Sequence, residues 1–322
     1  MLPLAGEYIF LTGLPMSPYV IVTTEGLESA PLAWLKERVQ VIELTLKDQS
    51  RLGAALARAD GIIVRTYTQV NEELLARAPR LKVVGRAGVG LENIDQAACH
   101  KRGIKVISTP EANTHAVREY VFNLIFALGR PVVRLHEPVA AEVFHQYRKT
   151  SRGMELYGLT FGVLGMGRIG RAVSRVAIAL GMSVIYNDVV DVSSAVDFPA
   201  EAVAVDELFR RADILTIHVS HRVGNRHFVS ADRLGLMKPS ALLINTARGE
   251  VIDAKALADA IKSGRLSGAA LDVHDPEPPG TDYPLWNLDR VILAPHLAAR
   301  TQGAMDAMSW VARDVVEYLH SQ

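Results

Sequence analysis

Three short segments of the chain each carry a side chain able to handle a proton or an anion, and each closes an apolar run. They are Ile244-Asn245-Thr246-Ala247-Arg248-Gly249, Leu271-Asp272-Val273-His274-Asp275-Pro276-Glu277-Pro278 and Ala294-Pro295-His296-Leu297. An arginine, a glutamate and a histidine delivered to one rim would suit the interconversion of a 2-hydroxy acid and a 2-keto acid. Arg248 can grip a carboxylate with two N–H groups and polarise a carbonyl. His296 titrates near neutrality and can take the hydroxyl proton as hydride leaves. Glu277, bonded to the other imidazole nitrogen, would orient His296 and favour its protonated form. Each residue alone has a plainer reading: a surface ion pair, a loop carboxylate, a histidine satisfied by a backbone carbonyl. Their shared placement after three strands favours the chemistry.

A hydride needs a carrier, and one motif fits it. Phe161 to Leu164 reads as a strand, and Gly165-Met166-Gly167-Arg168-Ile169-Gly170 then opens a helical stretch, Arg171 to Leu180. This is G-x-G-x-x-G in the strand-to-helix setting its mechanism requires. Gly165 permits the tight turn, Gly167 lets the backbone approach a pyrophosphate at the helix N-terminus, and Gly170 allows close packing. Asp188 follows Gly170 by 18 residues, at the end of the next strand. A carboxylate there accepts the ribose hydroxyls of NAD and repels a 2′-phosphate. Val189, Val190 and Asp191 supply no arginine for NADP, so NAD is the expected cofactor.

These segments are positioned by short β-branched runs alternating with amphipathic stretches, the pattern of βαβ units around parallel sheets. A first series of strands is expected at Tyr19 to Thr23, Val39 to Leu44, Gly61 to Val64, Lys82 to Gly85 and Lys105 to Ile107. Helical patterns lie between them at Pro31 to Arg38, Ser50 to Arg58 and Asn71 to Ala78. Thr114 to Leu128 reads as one strong helix, apolar on more than one side. A second series runs through Leu159 to Leu164, Val184 to Tyr186, Ile214 to His218, Leu242 to Asn245, Gly268 to Leu271 and Val291 to Leu293. Six strands complete a dinucleotide-binding unit, and the last amphipathic segment, Gln302 to Leu319, is expected to return to the first domain. The expected architecture is α/β with two doubly wound parallel-sheet domains. A Rossmann-type NAD-binding domain, 113–296, is inserted in a flavodoxin-like substrate domain formed by 1–112 and 297–322.

Composition narrows the remaining classes. The 322 residues are 49% hydrophobic and 22% charged, with 35 basic side chains against 35 acidic ones. This balance, with a pI near 7.2, gives no basic footprint for nucleic acid. The single cysteine, Cys99, excludes an internal disulfide and points to a reducing cytoplasm. The pairs His218/His221 and His274/Asp275 offer two ligands each, too few for a metal site, and His274 is expected to hydrogen-bond within the Pro-rich loop. No apolar run reaches the roughly 18 to 20 residues that span a bilayer. The uncharged stretch between Glu7 and Glu25 has no basic residue before it, so no leader is expected.

Taken together, the motifs resemble the D-isomer-specific 2-hydroxyacid dehydrogenases, and within them the phosphoglycerate dehydrogenase group. The resemblance runs from about Gly61 to Leu319. It rests on Val84-Gly85-Arg86-Ala87-Gly88-Val89-Gly90 with Asn93-Ile94-Asp95, on the glycine loop, on Asn245 to Asp253, and on the Glu277 and His296 segments. It implies Arg248 as carboxylate anchor, Glu277 as partner and His296 as acid/base. It also implies backbone contacts from Val89 and Gly90 to substrate, Arg168 and Ile169 on the diphosphate, Val219, Thr246 and Ala247 near the cofactor, and Asp272 on the carboxamide. In similar enzymes the first domain closes over a cleft near Thr114 and Pro295, and the long helix after Thr114 packs in a homodimer.

The departures set further expectations. Ala298 stands where the family usually has Gly, implying an altered nicotinamide loop, and Tyr120 where many members carry His. The chain stops at Gln322, which would leave no C-terminal regulatory domain for feedback by serine. Arg65 and Arg86 match positions where phosphoglycerate-type members face the substrate, and Arg152 is a candidate to reach a dimer mate's site. Those arginines would bind the phosphate of a 3-phosphoglycerate-like acid, or else cap strands and pair with neighbouring carboxylates. In the second case the substrate becomes glyoxylate, hydroxypyruvate or 2-keto acids generally. A redox-sensing binding protein, like the dehydrogenase-related corepressors, is the rival from another class, and the chain lacks the long terminal tails expected of one.

Overall fold

A computed structural model describes residues 17–322, apart from Leu46 and His221. His221 of the pair read at His218/His221, and most of the stretch read against a leader, therefore lie outside the described residues. The chain divides into two compact units, Met1–Asn113 with Gln302–Gln322, and Thr114–Thr301.

The first unit is built on β1 (Ser17–Thr23), α1 (Ser29–Lys36), β2 (Val39–Glu43), α2 (Gln49–Leu56), β3 (Gly61–Val64), α3 (Glu72–Ala76), β4 (Val83–Arg86), α4 (Gln96–Lys101) and β5 (Lys105–Ser108). The five strands are parallel in the order β2-β1-β3-β4-β5, the flavodoxin-like arrangement. A strand buried on both faces needs an unbroken apolar run, and Gly61-Ile62-Ile63-Val64 supplies one with all four residues buried. One face packs on Leu56, Leu75 and Cys99. Helix starts are set by side-chain caps: Asn71 accepts from the Leu74 N–H at 3.0 Å and Asp95 from the Ala98 N–H at 2.9 Å.

The second unit begins with α5 (Thr114–Gly129) and α6 (Ala141–Thr150). It continues through β6 (Thr160–Leu164), α7 (Arg168–Ala179), β7 (Ser183–Asn187), β8 (Glu201–Ala202), α8 (Val205–Arg211) and β9 (Ile214–Ile217). It ends with α9 (Ala231–Leu236), β10 (Leu242–Asn245), α10 (Ala254–Lys262), β11 (Gly268–Leu271) and β12 (Val291–Leu293). Its sheet is parallel in the order β12-β11-β10-β9-β6-β7-β8, so the connections run outward in both directions from β6. That reversal opens a crevice beyond the carboxyl ends of β6 and β9, where ligands bind in such sheets. The unit has a seventh strand, β8, beyond the six expected. Only two residues long and exposed, it carries no apolar run to reveal it.

Helix α5 buries Val117, Val121, Leu124 and Ile125 within its own unit, and Phe122 stacks on Phe161 with ring centroids 5.9 Å apart. No residue from 130 to 155 is buried, including all of α6.

The final segment is two helices, α11 (Gln302–Ser309) and α12 (Val311–His320), where one was expected. The break follows Ser309, whose hydroxyl bonds back to the Met305 carbonyl at 2.8 Å while accepting from the Glu28 N–H at 3.1 Å. Such back-bonding competes with the helical ladder. Val311, Val315 and Leu319 of α12 pack with Ile21, Ile63 and Val83 on the second face of the first sheet. Burial of each such side chain contributes about 1.5–3 kcal/mol.

Candidate active site

The glycine loop joins β6 to α7. Gly165 adopts φ 95°, and a Cβ there would strike the His218 carbonyl, while one on Gly170 would strike the carbonyl of Gly165. Gly167 caps α7 with no side-chain bond and with open space where a Cβ would stand. The first N–H groups of the helix are thus unshielded by protein side chains, the arrangement that receives a pyrophosphate. Arg168 is exposed and Ile169 half-buried at the same terminus. Asp188 follows β7 and accepts from the Met166 N–H at 2.8 Å and from the Val190 N–H at 3.1 Å. Its oxygens keep further lone pairs for hydroxyl groups.

On the other side of the crevice, Val219 is half-buried after β9. His218 bonds through Nε2 to Thr216 Oγ1 at 2.9 Å, and burial pushes its imidazole down to about 3, so it stays neutral. After β10, Asn245 turns the chain by accepting from the Ala247 N–H at 3.0 Å and donating to the Arg248 carbonyl at 2.9 Å. The Thr246 hydroxyl oxygen is buried without a hydrogen-bond partner. An orphaned hydroxyl, an uncapped helix terminus and a ribose-type carboxylate together fit a dinucleotide.

The three chemistry-bearing segments follow β10, β11 and β12. His296 Nδ1 lies 3.0 Å from Glu277 Oε2, with the two side chains 48% and 36% exposed. The other carboxylate oxygen, Oε1, accepts from the His274 N–H at 2.9 Å. The bond to Glu277 pushes the His296 imidazole above its ordinary value. Burial opposes this, Asp272 adds to it, and the positive charge of Arg248 works against it. Burial pushes the Glu277 carboxyl up, but the His296 and His274 hydrogen bonds prevail and hold it below its usual range. His296 sits at φ 56°, a left-handed backbone that a non-glycine residue keeps only where its surroundings impose it.

Asp272 supplies part of that constraint. It is fully buried; its carbonyl accepts from the His296 N–H at 2.8 Å, and its carboxylate from the N–H groups of Leu297 at 2.7 Å and Ala298 at 2.8 Å. Asp272 thus anchors the His296 loop, a role with no sequence signature. Arg248 donates to the Ala247 carbonyl at 2.6 Å. Gly249 brings its loop against the next one, for a Cβ there would collide with the His274 carbonyl.

Comparison with known proteins identifies the family. The model of the D-isomer specific 2-hydroxyacid dehydrogenase, NAD binding domain, matches residues 122–298. This chain belongs to that family. It is similar to a D-3-phosphoglycerate dehydrogenase of Mycobacterium leprae, 36% identical over 89% of this chain and 54% of the relative. The chain thus spans about half the length of that relative. It is also similar to an (S)-sulfolactate dehydrogenase of Chromohalobacter salexigens, 37% identical over 92% of this chain and 96% of the relative. A solved D-lactate dehydrogenase of Aquifex aeolicus, complexed with NAD and lactic acid, superposes with a TM-score of 0.76 at 29% identity. That match covers 94% of each chain.

The second unit is therefore the NAD-binding domain of a D-2-hydroxyacid dehydrogenase family member. In the first unit, Val89 and Gly90 are half-buried after β4. Arg86 folds back on its own loop, donating to the Ala87 carbonyl at 2.7 Å. Arg65 is buried and its guanidinium bonds within the unit, to the Gly26 carbonyl at 2.7 Å and Ser309 Oγ at 2.6 Å. Its backbone N–H donates to the Glu25 carboxylate at 3.1 Å. Glu25 also accepts from the N–H groups of Thr66, Tyr67 and Thr68.

Other expectations of this family member change in detail. Ala298 is buried outside the left-handed region, so its methyl packs into the core without backbone strain. His274 hydrogen-bonds within the Pro-rich loop as expected, through its N–H to Glu277 at 2.9 Å, and its ring adds a bond to the Ala294 carbonyl at 2.9 Å. Burial and the negative charge of Asp272 push the Tyr120 phenol up. Exposed apolar side chains include Phe126 on α5 and Val132, Leu135, Phe144 and Tyr147 beyond it. Arg152 follows α6 and is exposed. Among the described residues, no helix is long and apolar enough to cross a membrane, and no group of three His, Cys, Asp or Glu could hold a metal.

Proposed function

We propose that the chain is an NAD-dependent D-2-hydroxyacid dehydrogenase that interconverts a 2-hydroxy acid and its 2-keto acid. The pairing of His296 Nδ1 with Glu277 Oε2 at 3.0 Å carries this reading. A carboxylate acceptor fixes the proton on Nδ1, which leaves Nε2 to give or take a proton. In reduction His296 is the acid; in oxidation it is the base. Arg248 binds the substrate carboxylate and adds positive charge where a ketone oxygen becomes negative. Asp272 holds the His296 loop in place. Bound NAD supplies or accepts the hydride. The glycine loop with Arg168 and Ile169 would hold its diphosphate, Asp188 its ribose, and Val219, Thr246 and Ala247 its nicotinamide half. Asp188 favours NAD over NADP by charge repulsion.

For the substrate, we propose a 3-phosphoglycerate-like acid, with Arg86 and the Val89–Gly90 backbone as substrate contacts. Identity to phosphoglycerate dehydrogenases supports it. A small acid such as glyoxylate or hydroxypyruvate is the second reading, favoured by the commitment of Arg65 to Gly26 and Ser309. We propose self-association through the 114–128 helix and the residues that follow it to 150, where Phe126, Phe144 and Tyr147 are exposed and α6 buries no residue.

The test is NADH oxidation by purified protein with 3-phosphohydroxypyruvate, hydroxypyruvate, glyoxylate and pyruvate side by side. Strong preference for the phosphorylated acid supports the first reading, and preference for the small acids the second. Absence of turnover with all of them contradicts the dehydrogenase reading.

A further inference from the structure

We propose that His274 is a positioning residue whose backbone and ring hold Glu277 and His296 in register, the ring through a tether to the Ala294 carbonyl. The inference rests on the reading of His296 as the proton carrier. His274 touches all three chemistry-bearing loops. Its N–H donates to Glu277 Oε1 at 2.9 Å, and its Nε2 lies 2.9 Å from the Ala294 oxygen. Its carbonyl packs where Gly249, next to Arg248, has no side chain. The Ala294 carbonyl also accepts from the His296 N–H at 3.1 Å, so the ring grips the same oxygen that His296 uses.

A carbonyl only accepts, so Nε2 carries the ring proton and Nδ1 is a bare lone pair. That Nδ1 is buried with no partner. The ring meets Tyr283 edge-on, centroids 5.6 Å apart, in an otherwise apolar contact. An apolar ring of the same shape would fill this place without leaving a buried acceptor unpaired, which is a cost to folding. A local cost kept beside a strained residue points to a role in the site. The tether answers a specific need. Downstream of His296 the loop is pinned by Asp272 through Leu297 and Ala298. Upstream, the His274 ring holds Ala294, and between these two anchors His296 is kept at φ 56° with its Nδ1 on Glu277.

The groups that face this pair are Asp272 and Arg248 around His296, Tyr120 beyond Asp272, and His274 and Tyr283 around Glu277. Removing the tether leaves the charges of Asp272, Arg248 and Glu277 in place and takes away only the effect of His274 on Glu277. It acts by loosening the His296–Glu277 bond, so it lowers the pH at which His296 titrates.

The experiment compares wild type, His274→Phe and His274→Gln. Three readouts are taken: the His296 imidazole titration by NMR, the melting temperature, and the pH profile of 2-keto acid reduction with NADH. In H274F the melting temperature is retained or raised, and His296 titrates at lower pH. The alkaline limb of the profile moves with it, and kcat falls roughly tenfold or more. H274Q, whose amide N–H can reach the same carbonyl, returns the titration and the limb toward wild type. A wild-type His296 titration in H274F overturns the proposal, whatever happens to its melting temperature. An equal displacement in H274Q overturns the tether. The NMR titration needs no substrate, so a wild type without turnover would defeat the proposed function and leave this inference to its own readout.

Discussion

Glu277→Gln separates orientation from charge at the site, because the backbone dictates how the new amide must lie. The His274 N–H points at Oε1 from 2.9 Å and can only donate. The glutamine oxygen must therefore face His274, which turns the amide NH2 toward His296 Nδ1. Nδ1 then becomes an acceptor, and the proton of the neutral ring moves to Nε2, the wrong tautomer for a base. A hydrogen bond to a charged group is worth about 1.5–3 kcal/mol. The imidazole is 48% exposed, so solvent screening sets the lower end, about 1.5 kcal/mol, or roughly tenfold in the protonation equilibrium. Loss of the acid/base step adds a fall in kcat of about 10²- to 10⁴-fold. The sign follows from the wild-type shift. His296 is held above its ordinary value, so reduction is fastest below that pKa and declines as pH rises through it, while oxidation rises over the same window. In E277Q the reductive limb moves to lower pH and oxidation is depressed throughout. The assay is initial rates in both directions across pH, with NADH affinity followed by fluorescence. Wild-type limbs and rates in E277Q would refute the reasoning.

Other perturbations read neighbouring parts of the site. Gly249→Ala drives a methyl into the His274 carbonyl; overpacking of about 1–3 kcal/mol should appear in chemical denaturation, together with a fall in kcat, and an unchanged midpoint would show the contact to be loose. Thr246→Val removes a buried, unpartnered hydroxyl; the free protein should keep or gain stability while NADH binds about two- to tenfold more weakly, and unchanged affinity would remove Thr246 from the cofactor site. Asp188→Ala with Val189→Arg should weaken NADH by about tenfold or more and relax preference toward NADPH, and an unchanged cofactor ratio would exclude Asp188 as the ribose ligand. Phe144→Asp with Tyr147→Asp should convert a dimer to monomer in sedimentation, with a wild-type mass counting against this surface.

Most strands were legible to within a residue because parallel strands buried on both faces need continuous apolar runs, as in Gly61-Ile62-Ile63-Val64. Burial leaves a compositional trace, and its absence explains what escaped. Helix α6 buries nothing, so no periodic apolar stripe announces it, and β8 is two exposed residues. The break at Trp310 follows the Ser309 hydroxyl, which meets Met305 one turn back and also Glu28 and Arg65, two partners far away in sequence. The same holds at the site. Arg248, Glu277 and His296 could be read because each ends a strand segment with the right functional group. Asp272 as anchor and His274 as tether could not, since both act on backbone atoms of the loop after β12. The direction of Arg65 was equally hidden, for its partners Gly26 and Ser309 lie 39 and 244 residues away.

The central claim is that His296 carries the proton in an NAD-linked hydride transfer, and one measurement meets it head-on. Single-turnover oxidation of bound NADH by the preferred 2-keto acid is compared in wild type and His296→Ala, with NADH affinity measured on the same samples. The account predicts a fall of about 10²- to 10⁴-fold in the turnover rate with NADH affinity nearly intact. A His296→Ala protein that oxidises NADH at the wild-type rate would contradict it.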